Sequence, residues 1–194
     1  MKARKVKGLD PDGPVAAQAQ RLVEVRLDEL CSFMPEAADP SAITALHDMR
    51  IAAKRLRYLL EVFHPLFGPY ATKAIKVVKE LQGLLGDIHD CDEGLPEVDD
   101  ALAAAIVVDA RALAHAAGTA QLDDLEPAAL AGAPTREAYA GLVGLGVHMR
   151  ARRELLFERF TDRWVELERQ GFRARLEYAV AERPGGTDDE ETTG

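Results

Sequence analysis

Apolar residues recur along most of this chain at the three- and four-residue spacing of an amphipathic helix, and prolines punctuate the pattern. Pro14, Pro40, Pro69, Pro96 and Pro134 stand before or at the opening of such a stretch, while Pro35, Pro65 and Pro184 close one. The punctuation predicts helices over 14–34, 41–63, 69–90, 96–117 and 134–170, with a short sixth over 172–182. No segment alternates β-branched with polar residues, so no sheet is expected. The predicted fold is all-α, an antiparallel helical bundle of about five to six helices. Ser41 is placed to cap the second helix, and Gly118 and Gly171 stand where a left-handed residue ends one. Residues 118–133 read mainly as a loop. Residues 1–13 read as a flexible basic end, 14–182 as a single helical domain, and 183–194, which lack an apolar anchor, as a disordered acidic tail.

With 194 residues the chain is long enough for one domain with its own core. It contains no apolar run of about eighteen residues, so no membrane span is expected. The basic N-terminus has no apolar stretch behind it, which argues against export by a signal peptide. Cys31 and Cys91 are too few for a disulfide framework or a structural zinc site, and a cytoplasmic location is expected.

The net charge of −9 argues against a general nucleic-acid binder. That average hides a segregation: residues 1–8 sum to +4, residues 47–79 to +5 and residues 80–109 to −9. An acidic chain with one strongly basic stretch suggests a selective anion site. Within that stretch His47, Arg50, Lys54 and Arg57 follow one another at three- and four-residue steps, which places them in an arc of roughly 80° on one helix. Met49, Leu56, Leu59, Leu60 and Phe63 lie on the other side. Few acids are spaced to neutralise the stripe within the helix, since Asp48 points elsewhere and Glu61 follows the last cation. The next predicted helix adds Lys73, Lys76 and Lys79, and a hairpin of the two would bring both cation sets into one groove. On the fifth helix His148, Arg152, Arg159 and Arg163 share a narrower arc, but Glu154, Glu158, Asp162 and Glu166 can neutralise it.

Plainer readings compete. The stripe could be a solvated helix face, or could be salt-bridged to the acid-rich stretch 80–109. Asp87, His89, Asp90 and Asp92 include metal-ligand types, but adjacent helix positions diverge, so no metal site is assigned. Asp90 is read as an orienting partner for an arginine or lysine of the second helix. Gly83 and Gly86 are read as packing positions, and Gly141, Gly144 and Gly146 as marking a close crossing or a kink. No nucleophile with a neighbouring base stands out, so neither an enzyme nor a cofactor is expected.

His47, Arg50, Lys54, Arg55, Leu56 and Arg57, followed by Lys79, Leu81, Gln82, Leu85, Gly86 and Asp90, together resemble the signatures of the CHAD domain, the conserved-histidine α-helical domain. The resemblance implies an all-helical module that binds inorganic polyphosphate. It implies phosphate-binding roles for His47, Arg50, Lys54, Arg55, Arg57 and Lys79, with Lys73, Lys76, His89 and Arg152 added on position. His89 stands where that family often has an arginine. Cations one helical turn apart suit a linear polyanion, with arginines donating bidentately and lysines acting as mobile charges. The expected function is therefore binding of inorganic polyphosphate, with association with polyphosphate granules, and with neither a specific nucleic acid nor a membrane as partner. The alternatives are an enzyme or accessory of phosphate metabolism acting on a triphosphate or nucleotide with Mg²⁺, and a helical module that docks an acidic protein.

Members of that family usually carry two signature-bearing halves, whereas this chain carries one good copy. Two solutions follow. A symmetric homodimer through the fifth helix would supply the second half, or the long fifth helix closes a monomeric bundle.

Overall fold

A computed structural model describes residues 2–117 and 133–182. The expectations for Gly118, for most of the 118–133 connection and for the acidic tail fall outside the described residues. The described chain is helical throughout and contains no strand: α1 Val15–Cys31, a single turn α2 Met34–Ala37, α3 Ile43–Phe63, a 3₁₀ turn His64–Leu66, α4 Tyr70–Ala117, α5 Arg136–Arg169 and α6 Phe172–Ala181. No described helix is long and apolar enough to cross a membrane.

Two local expectations are corrected. The third and fourth predicted helices are one helix, α4, which runs for 48 residues with Pro96 inside it. A proline in a helix interior forfeits a hydrogen bond and crowds the preceding turn. Here Pro96 lies on the exposed side while Cys91 and Val98, on either side of it, are buried, so packing holds the helix through the break. Ser41, in turn, does not cap α3. Ala42 occupies the cap position, and the Ser41 hydroxyl and backbone N–H both donate to Asp39 Oδ1, at 2.7 and 2.8 Å. An anionic acceptor two residues back wins the hydroxyl, and these bonds hold the Asp39 carboxyl below its ordinary value. Gly171 does end α5 in the left-handed conformation, with φ of 66°.

Contacts divide the described residues into two compact units, 2–89 with 156–182 and 90–117 with 133–155. In the first, α1 packs along α3 and against α6. Its core interleaves Val23, Leu27 and Leu30 of α1 with Met49, Leu56 and Leu60 of α3, Leu81, Leu85 and Ile88 of α4, and Phe160 and Trp164 of α5, all buried at helical spacing. The basic end has a defined path beside α1: Arg26 Nη2 donates to Arg4 O at 2.9 Å, and Arg4 Nη2 donates to Ser32 Oγ at 2.6 Å.

The second unit is a helical hairpin of α4 and α5. Buried Asp109 accepts from Thr135 N at 2.8 Å and from the Tyr139 hydroxyl, which ties the start of α5 to α4. Burial alone would push the Asp109 carboxyl up, but the bonds from Tyr139 and Thr135 outweigh it and hold the group below its ordinary value. Of the three glycines expected at a close crossing, only Gly146 is near a neighbour, with Val98 Cγ1 3.6 Å from where a Cβ would stand. Gly141 and Gly144 meet nothing within 4 Å among the described residues, whereas Gly94 is closely covered by Met149.

Candidate anion-binding face

The cation stripe of α3 lies along the first part of α4. His47 Nδ1 stands 3.2 Å from His89 Nδ1, with ring centroids 4.5 Å apart. Three residues further along α3, Arg50 Nε lies 3.6 Å from the position a Cβ on Gly86 would take. A step of three up α3 is thus a step of three down α4, so the helices run antiparallel in this register. With equal rise per residue, Lys54 comes level with Gln82 and Arg57 with Lys79. The hairpin anticipated from sequence therefore brings His47, Arg50, Lys54 and Arg57 alongside Lys79 and His89. Lys76 and Lys73 lie further along α4, but each step of three turns about 60° round the helix, so Lys76 stands beyond the edge of the row and Lys73 falls on the side of Glu80, away from the seam.

Burial divides these cations into two kinds. Lys54, Lys73, Lys76 and Lys79 are exposed, while Arg50 and Arg57 are half-buried along the seam. Nε of Arg50 and of Arg57 are buried without a hydrogen-bond partner, as is Gln82 Oε1, which stands at a level between them. Packing the guanidinium stems into the seam restricts their rotamers and leaves the outer N–H groups as the donors available to a ligand. Tyr58 adds an aromatic surface, with the Arg57 guanidinium 4.8 Å and the Lys54 ammonium 5.9 Å from its ring centroid.

Among the described residues the row is poor in acidic partners. Among the described residues no carboxylate forms an ion pair with Arg50, Lys54, Lys73, Lys76 or Lys79, and Arg57 alone has one, Glu61 at 3.6 Å. Carboxylates elsewhere in the acid-rich stretch are engaged with arginines of α5. Glu80 pairs with Arg163 at 2.9 Å in the first unit, and Asp92 and Asp99 pair with Arg153 and Arg150 in the second. Among the described residues no carboxylate of that stretch pairs with the stripe, so one of the plainer readings, neutralisation by 80–109, finds no support there.

Arg55 belongs elsewhere. It reaches 3.3 Å to Glu29 of α1, a carboxylate only 1% exposed that also takes Arg26 Nη1 at 2.5 Å and the backbone N–H of Arg4 at 3.2 Å. A buried carboxylate needs such partners, and Arg55 is one of them. The sequence pattern missed Glu29, because helical spacing places it roughly 120° from the apolar stripe of α1, where an acid reads as solvated. Asp90 and Arg152 are exposed and lie in the second unit. Among the described residues no three His, Cys, Asp or Glu side chains come together as metal ligands would.

A separate cavity of about 390 Å³ in the first unit is lined by Cys31, Trp164, Leu167, Phe172 and Arg173. Burial pushes the Cys31 thiol up to about 11, which disfavours the thiolate near neutral pH.

The two signatures therefore meet in three dimensions, His47 against His89 and Arg50 against Gly86. Residues 2–95 match the CHAD domain family. The matched segment spans α1, α2, α3 and the first half of α4, and so contains the whole α3–α4 seam; residues 96–194 lie outside the match. No curated protein and no solved structure matches the chain.

Proposed function

We propose that the chain binds inorganic polyphosphate along the α3–α4 seam and carries out no reaction on it. The observation that supports this reading is the set of cations poor in acidic partners, five of them free of any carboxylate ion pair among the described residues. Leaving like charges side by side costs stability, and an anion laid along the row removes that cost. A polyphosphate carries about one charge per phosphate, so a linear chain meets a cation at each turn of the two helices, and affinity derives largely from released counterions. Lys54, Lys73, Lys76 and Lys79 are exposed enough to follow a flexible ligand, while Arg50 and Arg57 offer donors whose stems are already fixed. His47 and His89 add donors at one end. In the cell this binding would place the protein on polyphosphate granules. The deciding assay is titration with long-chain polyphosphate, with and without Mg²⁺, alongside phosphate-release detection. Saturable, salt-sensitive binding that needs no Mg²⁺ and releases no phosphate is expected; Mg²⁺-dependent release lost on changing Asp87 would establish an enzyme instead.

A homodimer is proposed as the assembly. Ile106, Val107, Val143, Leu145 and Val147 of the second unit are large apolar residues left about half exposed, and among the described residues nothing stands within 4 Å of where a Cβ on Gly141 or Gly144 would be. An isologous contact through α5, where Val143 and Val147 share one side of the helix, would cover apolar surface on both copies and double the cation row. Light scattering at micromolar concentration without ligand is expected to show mass above 21.1 kDa that rises with concentration. A constant monomer mass would leave the site complete within one chain.

A further inference from the structure

The basic end of the chain, outside the helices that form the seam, is held in place at unusual expense. Glu29, almost fully buried, accepts the backbone N–H of Arg4 through the same oxygen, Oε1, that takes Arg55 of α3. Arg26 closes the other side of the peptide by donating to Arg4 O at 2.9 Å, and Arg21 donates to the carbonyl of Gly8. The Arg4 side chain is spent as an anchor, on Asp28 at 2.5 Å and on Ser32 at 2.6 Å. Chain ends with few apolar residues are ordinarily loose. This one is fixed by five polar ties, and each leaves the neighbouring lysines unused.

Lys2, Lys5 and Lys7 are all exposed, and none has an ion-pair or hydrogen-bond partner among the described residues. Ala3 and Val6 between them are half-buried. The position of this segment relative to the seam follows from the shared oxygen. Arg4 and Arg55 meet at Glu29 Oε1, Lys5 directly follows Arg4, and Lys54 directly precedes Arg55. On α3, His47 and Arg50 face α4 while Arg55 faces α1, with exposed Lys54 and Tyr58 on the surface between. Cations consequently flank α3 on both sides: the α4 lysines on one, the N-terminal lysines on the other.

We infer that the N-terminal segment is a third cationic element of the polyphosphate site, with Lys2, Lys5 and Lys7 contacting phosphates that cross the outer face of α3. The inference rests on the polyphosphate reading above and extends it to residues outside the helical signatures. Glu29 acts here as a positioning residue: one carboxylate sets both Arg55 and the path of the segment. No covalent step is involved.

The test compares three full-length proteins for long-chain polyphosphate binding over a range of salt: the unaltered chain, Lys2→Ala/Lys5→Ala/Lys7→Ala, and Arg50→Ala/Lys54→Ala/Arg57→Ala. Three lost phosphate contacts should lower the slope of log affinity against log salt by about two and weaken binding by about tenfold or more at physiological salt. The lysines are exposed, so circular dichroism and the unfolding midpoint should not move. Polyphosphate should also shield Lys5 and Lys7 of the unaltered chain from trypsin. If the lysine variant keeps its affinity and slope while the α3 variant loses both, the segment is no part of the site and the polyphosphate reading stands. If the unaltered chain fails to bind, both are overturned.

Discussion

Alanine at Arg50, Lys54 and Arg57 together will remove most of the chain's affinity for polyphosphate and leave it folded. Each of the three offers a charge-assisted donor to phosphate, and each lost contact lowers the salt slope by about 0.7, so affinity at physiological salt should fall by about a hundredfold. The fold should survive because none of the three anchors the core. Lys54 is exposed, and among the described residues the buried Nε of Arg50 has no hydrogen-bond partner and that of Arg57 has only Glu61 at 3.6 Å, so truncation relieves poorly met donors while it opens space along the seam. The two effects oppose each other, and the stability change should stay within about 1 kcal/mol. Titration calorimetry beside circular dichroism reads both. A helical variant that binds as before would show that the α3 row is not the site.

Glu29→Ala should have the largest effect on stability. The carboxylate is 1% exposed and compensates Arg26, whose side chain is 13% exposed, and Arg55, at 29%. Its removal leaves two partly buried guanidiniums and the Arg4 N–H without their acceptor, a loss of about 3–5 kcal/mol for breaking a buried pair. Against a typical domain stability of about 5–15 kcal/mol this is a large fraction. Urea denaturation should show the midpoint falling steeply, with Glu29→Gln between the two because the amide oxygen can still accept. Arg55→Ala provides the contrast. It should lower the midpoint while the salt slope of polyphosphate binding stays as it was, which separates a structural arginine from those of the cation row beside it. A loss below about 1 kcal/mol for Glu29→Ala would remove this account of Arg55.

Much of the architecture is local in origin. The helices α1, α3, α5 and α6 lie within a few residues of their predicted spans because proline and glycine act on the backbone nearby, whatever the rest of the chain does. The same is true of the cation stripe: residues three, four and three positions apart share a helix face by geometry alone, so His47, Arg50, Lys54 and Arg57 align before any tertiary contact forms. The resemblance to the CHAD family was legible for the same reason, since its signatures are spacings along single helices, and the family match covers both of them.

What the tertiary structure decided are the pairings between segments far apart in sequence. His47 meets His89 and Arg50 meets Gly86 only because α3 and α4 settle in one antiparallel register, which the packing of Leu56, Leu60, Leu81 and Leu85 selects from several the pattern allows. Arg55 is indistinguishable from Lys54 and Arg57 as a residue type, yet about 100° of helical rotation turns it toward α1, where a carboxylate 26 residues back has been taken out of water. Pro96 shows the converse. The local rule calls for a break, but a helix is also held by what its two ends bury, and with Cys91 and Val98 both buried the proline is carried through. Backbone preferences act over a few residues and can be read along the chain, whereas burial depends on which distant side chains arrive. The partners of Arg55, the place of the N-terminal lysines and the continuity of α4 belong to the second kind.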